Sequence, residues 1–440
     1  MTRLYLKALS LLFISFTPAC TRPAPQQTMQ AASQNKPGPV TVQVQKTATG
    51  YQLLRGGVPY FIKGAGGSNY LDRLAAYGGN SIRTWSTHNG QQVLDDAAQH
   101  GLTVTMGLDV ARERHGFDYN DKAAVAQQLE RLRGEVRKYK DHPALLIWGI
   151  GNELNLQYTN PAVWDAVNDI ARMIHEEDPN HPATTMLAGL GRKEVEYIKA
   201  KCPALDLLSI QAYGDLPSIP RKVQDYGWEG PYIITEWGPT GHWESHQTPW
   251  KAAVEETSSE KAAVYEQRYH AAILKDSAHC LGSYVFLWGQ KQERTPTWYG
   301  LFTANGEESE VVDVMQHLWS GQWPENRAPH LQSLLINGQK ATDNVYLKPG
   351  QAYTAHAAVT DPDQDKLTYK WELLPESTDL GEGGDAESRP AALSGLVTEA
   401  APGTATLTTP ATEGAYRLFI YTYDGHQNVA TANFPFYVRP

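Results

Sequence analysis

Three patterns in the sequence predict an α/β protein in which a (β/α)8 barrel is followed by a small all-β sandwich. Eight short apolar runs alternate with segments of helical periodicity over about 260 residues, which is the size and order of such a TIM barrel. A doubly wound open sheet is the alternative, but no glycine-rich dinucleotide fingerprint follows an early strand. After residue 324 the helical pattern ends and period-two alternation begins, which is typical of antiparallel sheets.

The predicted barrel strands are short apolar stretches of the kind that parallel sheets bury on both faces. They cover residues 60–69, 81–85, 102–110, 144–153, 183–189, 205–213, 232–237 and 280–288. Helical periodicity between and after them covers residues 91–100, 122–140, 162–176, 193–201, 259–278 and 310–318. We place this barrel domain at residues 40–324.

The remaining residues, 325–440, alternate between apolar and polar side chains with turn residues between the runs. The predicted strands cover residues 351–359, 367–373, 405–409, 416–423 and 431–438. This pattern loosely resembles the immunoglobulin-like or PKD-type modules that are appended to secreted bacterial enzymes. Residues 361–365, with the sequence DPDQD, have carboxylates that could bind Ca²⁺. An acidic turn is the favoured interpretation, because Asp and Pro nucleate turns unaided.

Length and composition agree with this division and exclude several classes of protein. A chain of 440 residues with 41% hydrophobic residues exceeds the roughly 250–300 residues at which one core stops growing. The net charge of -10 lacks the basic excess that neutralises phosphates, so we expect no nucleic acid partner. The chain has 12 tryptophans and 23 tyrosines against 9 phenylalanines, an excess of amphipathic aromatic side chains, which suit polar ligands as well as cores.

The first residues have the pattern of an export signal. Arg3 and Lys7 precede an apolar run at residues 8–16, which is followed by Thr17, Pro18, Ala19 and Cys20. This order resembles a bacterial lipoprotein signal, which predicts a signal peptide at residues 1–19, lipidation of Cys20 and anchoring at the cell envelope; cleavage for simple secretion is the alternative. Residues 20–39 are rich in Pro, Gln, Ala and Ser, as in a flexible tether. No apolar run reaches the ~20 residues of a membrane span, so any membrane attachment would be through the anchor.

Two glutamates follow predicted barrel strands at the end where such barrels place their chemistry. The fourth strand ends in WGIGNE and leaves Glu153, and the seventh ends in ITEW and contains Glu236. Cleavage of a glycosidic bond needs two carboxyl groups, one to protonate the leaving oxygen and one to attack or to activate water. Either glutamate alone is a weak signal, because a Glu at a strand end is often a surface charge or a helix partner.

WGIGNE and ITEWG together resemble the retaining glycoside hydrolases of clan A, most closely the barrel domain of family 2 and next family 5. The resemblance extends over about residues 40–323. It implies that Glu153 is the general acid/base and that Glu236 is the nucleophile. These roles require Glu236 to be ionised and Glu153 to keep its proton in drier surroundings beside a second carboxylate.

The same resemblance assigns further residues around the two glutamates. It implies that Asn152 holds the sugar 2-hydroxyl and that Arg83 steadies the nucleophile. Tyr213 would hydrogen-bond the nucleophile, and Trp288 would form the floor of the sugar subsite. Gln211, two positions before Tyr213, stands where relatives often have Asn or His.

Other candidate substrate-binding residues follow the strands. Trp85 and Trp237 could stack on the C–H faces of sugars, and His88 could hydrogen-bond their hydroxyls. Packing in the core is the alternative for the aromatic side chains. His242 and His246 do not form an HExxH motif, so we expect no metal and no cofactor.

The sequence thus favours a retaining β-glycosidase that acts on a β-linked polysaccharide or oligosaccharide, with a β-glucan as the expected substrate. A transglycosidase that uses the same glutamates is one alternative, and a non-catalytic carbohydrate-binding lipoprotein is another. The paired glutamates argue against the latter, because binding alone needs no proton donor with a nucleophile. A metal-dependent barrel hydrolase is disfavoured, since no set of His and Asp recurs at the strand ends.

Overall fold

The computed structural model describes residues 38–440. The predicted signal peptide, Cys20 and all but the last two residues of the predicted tether lie outside the described residues. No helix among residues 38–440 is both long and apolar enough to cross a bilayer.

The described chain begins with a small antiparallel sheet that the sequence analysis did not predict. Its strands are β1 (Val42–Lys46), β2 (Tyr51–Arg55) and β3 (Val58–Pro59). Val42 and Leu53 are buried in an apolar cluster with Ile62, Leu146 and Ile233. These three partners lie in the first half of barrel strands, so the sheet covers the N-terminal end of the barrel and seals it.

Eight parallel strands close into a barrel, which confirms the predicted fold. The strands are β4 (Ile62–Gly66), β5 (Ser81–Arg83), β6 (Thr103–Leu108), β7 (Leu145–Asn152), β8 (Ala183–Ala188), β9 (Leu207–Gln211), β10 (Tyr232–Trp237) and β11 (Cys280–Val285). Neighbours around the ring run in the order β10-β11-β4-β5-β6-β7-β8-β9. Inside the barrel, the Tyr284 hydroxyl shares hydrogen bonds with Ser81 at 2.9 Å and Thr105 at 2.6 Å. Gly64 leaves room for this ring, because a Cβ there would lie 2.3 Å from it.

Helices pack around the barrel and carry the chain between its strands. They are α1 (Leu71–Ala76), α2 (Gly90–Gln99), α3 (Lys122–Tyr139), α4 (Ala162–Glu177), α5 (Arg192–Lys201), α6 (Ile219–Asp225), α7 (Ser258–Arg268) and α8 (Glu310–Ser320). The short helices α1 and α6 were not predicted, because one or two turns give too little periodicity. Thr257 and Glu260 form a capping box that fixes the start of α7. The predicted helix at residues 259–278 is shorter than expected, since α7 changes to a π-helical turn at Tyr269–Ile273.

Two mainly antiparallel sheets pack their apolar faces together next to the barrel, which confirms an all-β second part. In one of them β12 and β14 pair with β20 in parallel. The strands are β12 (Glu308–Ser309), β13 (His330–Ile336), β14 (Tyr346–Leu347), β15 (Ala352–Thr360), β16 (Thr368–Pro375), β17 (Val397–Ala401), β18 (Thr404–Thr408), β19 (Gly414–Tyr423) and β20 (Asn428–Val438). One sheet has the order β12-β20-β19-β16, with β14 also paired to β20, and the other has the order β13-β15-β18-β17. The resemblance to immunoglobulin-like modules stays a prediction.

The barrel and the all-β part are joined by buried polar contacts. They also share strand β12, which precedes helix α8 of the barrel in the chain but pairs with β20 of the all-β part. Arg417 on β19 is buried and donates to the backbone oxygen of Ala253 in the loop after β10, at 2.8 Å. The Glu255 carboxylate accepts hydrogen bonds from Lys261 on α7 and from Asn433 on β20. The all-β domain is therefore joined to the same end of the barrel that carries the loop after β10.

The acidic turn at residues 361–365 holds the linker between the two parts. Asp361 Oδ1 accepts the backbone N–H groups of Asp363 and Asp365. Asp365 in turn accepts from Asn326 at 2.6 Å, and Asp363 accepts the backbone N–H of Arg327 at 2.8 Å. The turn therefore has a structural role of its own.

Candidate active site

A cleft of about 850 Å³ lies at the C-terminal end of the barrel strands and contains both predicted glutamates. Its walls come from the loops after the strands and from the all-β domain. The all-β domain contributes residues 376–387, which form the first part of the connection between β16 and β17. We call these residues the capping segment. Four of its residues that line the cleft are Leu380, Glu382, Gly383 and Asp385.

Glu236 lies at the end of β10 with four hydrogen-bond donors around its carboxylate. Oε1 accepts from Arg83 at 2.6 Å, from the indole N–H of Trp85 at 2.8 Å and from Gln211 at 3.1 Å. Oε2 accepts from the Tyr213 hydroxyl at 3.1 Å. An ionised carboxylate can only accept hydrogen bonds, so this set of donors matches the charged form.

Alternation along the strands explains why these donors meet. Residues two apart on a strand point to the same face. Arg83 ends β5 and Trp85 lies two residues later, and Gln211 ends β9 with Tyr213 two residues later, so each pair can face the cleft. Gln211 was noted in the sequence only as a departure from the relatives. Its position two residues before Tyr213 is the signal that could have identified it as a partner of Glu236.

Arg83 is fully buried and joins the two strand ends that carry the glutamates. Besides Glu236, it donates to the backbone oxygen of Thr235 at 3.0 Å and to Asn152 Oδ1. Its guanidinium carbon also lies 5.0 Å from the centre of the Trp85 ring. A planar fork with several donors can fix such an arrangement, whereas a lysine has only one nitrogen to offer.

Asn152 accepts at Oδ1 from both Arg83 and Gln211, the latter at 2.7 Å. These two contacts fix the orientation of its side-chain amide. Among the described residues Nδ2 has no hydrogen-bond acceptor, and the residue lines the cleft. The amide N–H₂ is thus available to donate to a substrate hydroxyl.

Glu153 follows β7 with a left-handed backbone, at φ 53, which is uncommon for a residue with a side chain. Gly151, two residues earlier, is also left-handed at φ 68, and the pairing of β7 with β8 shifts register between Ile150 and Asn152. The bend turns the chain at the strand end, where Asn152 and Glu153 both line the cleft.

Burial of its carboxyl, together with the nearby charge of Glu236, raises the pKa of Glu153 to about 7. Arg83, Arg114 and Arg112 oppose this rise, because their positive charges favour the ionised carboxylate. A carboxyl group with such a pKa can hold a proton near neutral pH and release it during a reaction. Burial and the Glu236 charge also hold the pKa of Tyr213 well above its usual range, so its hydroxyl remains a donor.

Two of the predicted substrate-binding aromatics lie elsewhere. Trp237 is fully buried and packs against Tyr265 and Tyr269, at ring separations of 5.2 and 5.8 Å. It points away from the cleft because it is adjacent to Glu236 on the same strand. Trp288 is also fully buried, between Phe302 and Trp319. The assignment of Trp237 and Trp288 to substrate binding is therefore wrong for this structure.

The aromatic surface of the cleft is instead formed by residues around β11 and in the loop after β10. Phe286, one residue after β11, lines the cleft and packs edge-on against Trp85 and Tyr213. Trp243 is 57% exposed at the mouth and packs edge-on against Tyr213 at 5.4 Å. Phe286 takes the place that was expected for Trp288.

His88 also lies outside the cleft. It lines a separate open groove between α2 and α3, together with Gln92 and Glu135. The prediction that His88 binds substrate at the two glutamates is therefore wrong for this structure. Its residue type and its position after β5 gave no indication that the chain turns toward α2 at this point.

Comparison with known proteins agrees with the barrel fold. The family model described as "Glycosyl hydrolases family 2, TIM barrel domain" matches residues 77–319. Among solved structures, the chain is similar to a β-D-glucuronidase of Dictyoglomus thermophilum, with a TM-score of 0.51 and 18% identity over 64% of this chain and 54% of that one. It is similar to a family 2 β-galacturonidase of Eisenbergiella tayi bound to galacturonate, with a TM-score of 0.50 and 17% identity over 64% and 54%.

A third similar structure is that of β-glucuronidase 2 of Bacteroides uniformis, covalently bound to cyclophellitol-6-carboxylate aziridine. The TM-score is 0.50 and the identity 16%, over 91% of this chain and 48% of that one. The chain thus spans about half the length of the solved structures that it matches. At these identities the likeness concerns the fold.

Proposed function

The chain belongs to glycosyl hydrolase family 2, whose TIM barrel domain matches residues 77–319, and on this basis we propose that it is a retaining β-glycosidase with Glu236 as nucleophile and Glu153 as general acid/base. The observation that carries the proposal is the pairing of two unlike carboxyl groups in one cleft. Glu236 is surrounded by four donors, whereas the pKa of Glu153 is raised to about 7. Such divergent environments suit one group to attack as a nucleophile and the other to donate a proton.

In the first step, a Glu236 oxygen attacks the anomeric carbon and the bond from that carbon to the leaving oxygen breaks. Glu153 transfers its proton to this oxygen, so the leaving group departs as an alcohol. In the second step, Glu153 takes a proton from water, whose oxygen displaces Glu236 from the sugar. Two inversions restore the original β configuration. Arg83, Trp85, Gln211 and Tyr213 stabilise the carboxylate before attack and after its release.

We propose a β-linked glucan as the first candidate substrate. Trp85, Tyr213, Phe286 and Trp243 give the cleft an aromatic lining, which suits the apolar faces of sugar rings. Asn152 Nδ2 would donate to the hydroxyl next to the anomeric carbon, because Asn152 precedes Glu153 in the chain and its amide is oriented by Arg83 and Gln211, which also bind Glu236.

A β-linked uronide is the second candidate, and one residue favours it. Arg112 lines the cleft and donates from Nε to the backbone oxygen of Asn152 at 3.0 Å. Among the described residues, its two terminal nitrogens meet no hydrogen-bond acceptor. A guanidinium with free terminal donors can bind a carboxylate through two parallel hydrogen bonds, and the names of the similar structures include glucuronidase and galacturonidase.

The test is incubation of the whole protein with aryl β-glucosides, β-glucuronides, β-galacturonides, β-mannosides and β-galactosides, and with β-glucan oligosaccharides. Proton NMR of the first product would show the β anomer, and added sugar acceptors would reveal any transfer in place of hydrolysis. Formation of the α anomer first would contradict the double displacement. Binding of these sugars with no turnover of any of them would favour the non-catalytic alternative.

We also infer that the protein is exported and anchored by a lipid at Cys20. Support comes from the charged, apolar and small-residue segments that precede this cysteine. Expression of the full chain in a bacterium, with fractionation and labelling by a radioactive fatty acid, tests the inference. Label should enter the membrane-associated protein and be lost in Cys20→Ser; equal labelling of the two proteins would contradict lipidation at this residue.

A further inference from the structure

The capping segment, residues 376–387, belongs to the all-β domain but lies against the loops of the barrel mouth. On one side it meets the loops after β6 and β7. Arg114 holds Asp385 through two hydrogen bonds of 2.8 and 3.2 Å, and Gln157 donates to the Glu382 carboxylate. The hydrogen bonds from Arg114 hold the pKa of Asp385 below its usual range, so this ion pair persists at mildly acidic pH.

On the other side the capping segment meets the loop after β11. Lys291 donates to the backbone oxygen of Gly384 at 2.7 Å. Arg294 donates to the backbone oxygen of Gly381 at 3.2 Å, and its own backbone N–H binds the Glu387 carboxylate at 2.6 Å. In the closed ring, β4 and β5 separate β11 from β6, and β8 and β9 separate β10 from β7. The capping segment therefore bridges opposite sides of the barrel mouth.

Both ends of this bridge are fixed by ion pairs in which one partner is buried and the other partly buried. At its start, the Glu376 carboxylate accepts a hydrogen bond from Arg417 Nη2 at 2.7 Å. The same nitrogen also donates to the backbone oxygen of Ala253 in the barrel. At its end, the Glu387 side chain has no exposed surface and lies 3.4 Å from Arg294. A segment tied at both ends and across its middle is held in place before any substrate arrives.

The middle of the bridge, at Gly383, lies beside the loop that follows the acid Glu153. Gly383 has a left-handed φ of +57, and a Cβ on it would lie 2.6 Å from Leu156 and 3.0 Å from Arg114. Leu156 is three residues beyond Glu153, and its backbone N–H binds the Glu153 backbone oxygen. Arg114 is also one of the charges that act on Glu153. Because the acid must reach the leaving oxygen, the leaving group of a substrate lies on this side.

From this placement the geometry points to a new binding role: the capping segment of the all-β domain forms the leaving-group subsite of the barrel. Its ligand class is a sugar leaving group, whose hydroxyls meet the exposed carboxylate of Glu382 and the backbone groups of Gly383 and Gly384. The inference rests on the proposed glycosidase function and adds that the all-β domain selects what is released. A small leaving group would end before it reached this surface.

The kinetic test compares three substrates of one sugar at pH 5, where Glu153 is protonated. They are the 4-nitrophenyl glucoside, the methyl glucoside and cellotetraose, or the matching uronides if the wild-type protein prefers those. In Gly383→Ala and Asp385→Asn we expect kcat/KM for the tetrasaccharide to fall at least tenfold, mainly through KM. For the two small substrates, kcat/KM should change less than twofold. The methyl glycoside has a small leaving group that still needs protonation by the acid, so it separates an effect of leaving-group size from an effect on acid catalysis.

Gly395→Ala is the matched control. Gly395 lies in the same connection with a left-handed φ of +77, but a Cβ on it would have nothing within 4 Å, so only the backbone strain is shared. Equal losses for all three substrates in Gly383→Ala and Asp385→Asn, or an unchanged tetrasaccharide rate in both, would overturn the inference.

A second measurement does not depend on turnover. In the Glu236→Gln protein, the tetrasaccharide should slow hydrogen exchange of the capping-segment amides, and the monosaccharide should not. Equal exchange with and without bound tetrasaccharide would overturn the role of the capping segment. Protection without turnover by the wild-type protein would instead overturn the proposed hydrolysis, so the two failures are distinguishable.

Discussion

Arg83 and Glu236 form a buried ion pair, with Nη1 of the arginine 2.6 Å from Oε1 of the glutamate. The other terminal nitrogen of the same guanidinium holds Asn152, the residue before Glu153. One side chain on β5 therefore sets the relative positions of the ends of β7 and β10. The positions of both glutamates therefore depend on a residue that itself neither attacks the sugar nor transfers a proton.

Substitution of Arg83 tests this arrangement. Arg83→Ala leaves the Glu236 carboxylate buried without its charge partner, a loss that typically costs about 3–5 kcal/mol. We expect kcat/KM to fall by at least ~10²-fold, with a lower melting temperature. Arg83→Lys keeps the charge but not the fork, so it should restore stability more than activity. An Arg83→Ala protein with kcat/KM within tenfold of the wild type would contradict the role of the pair.

Removal of the nucleophile should be rescued by a small anion. Glu236→Ala should lose turnover and regain it with azide, which attacks from the vacated face and gives the α-glycosyl azide from an activated aryl β-glycoside. Glu153→Ala is the matched control, because azide there replaces water on the glycosyl-enzyme and gives the β-glycosyl azide. Product NMR distinguishes the two. Identical anomers from both variants would show that the roles are assigned wrongly.

The raised pKa of Glu153 predicts a pH dependence. With a pKa of about 7, the acid is lost as the pH rises through neutrality, so kcat/KM for substrates with poor leaving groups should decline above pH 7. Glu153→Gln should slow such substrates about 10²–10⁴-fold and should flatten this decline for activated aryl glycosides. A wild-type profile that stays level to pH 9 with a poor leaving group would be evidence against Glu153 as the acid.

The same group makes the folded state pH-sensitive. Its folded pKa of about 7 exceeds the ordinary value of 4.5, so the folded protein binds more protons between these values and loses stability as the pH rises through them. Glu153→Gln removes this term, so its melting temperature relative to the wild type should be higher at pH 8 than at pH 5. Calorimetry at the two pH values measures the difference, and an equal difference at both would contradict the assignment.

Two tryptophans provide a matched pair of substitutions. Trp85→Phe removes the hydrogen bond to Glu236, and since hydrogen bonds to charged groups contribute about 1.5–3 kcal/mol, kcat/KM should fall by roughly 10- to 100-fold. Trp237→Phe lies outside the cleft and should lower the melting temperature with little change in KM. Enzyme kinetics and thermal melting on both proteins test the pair. A large rise in KM for Trp237→Phe, with little kinetic effect of Trp85→Phe, would instead support Trp237 as a substrate-binding residue.

The barrel was predictable because most of its eight strands have a run of buried apolar residues with polar segments on either side. Glu153 and Glu236 were predictable for a related reason, since each follows or ends such a run at the catalytic end of the barrel. The three strands β1 to β3 were missed because they are short, half-exposed and rich in polar residues. These strands pack against the first residues of the barrel strands. Such contacts form only once the barrel has closed, so no local sequence pattern indicates them.

The errors at the site also have physical causes. Trp237 and Trp288 were chosen because they are tryptophans near strand ends. Trp237 is adjacent to Glu236, and a shift of one residue on a strand reverses the face of the side chain. Phe286 and Trp288 both lie beyond the end of β11, where the path of the chain decides which of the two reaches the cleft. The capping segment could not be predicted, because it lies more than 130 residues after Glu236 in the sequence and reaches the cleft only through the packing of the all-β domain.

The short strand β12 has a consequence for how the molecule unfolds. It lies between barrel strand β11 and helix α8 in the chain, but it completes a sheet of the all-β domain by pairing with β20. Neither part can lose its structure without leaving the other with broken strand pairing. We therefore expect one cooperative thermal transition rather than two, and a recombinant barrel cut before residue 325 would be a fragment of a folding unit and not a domain that stands by itself.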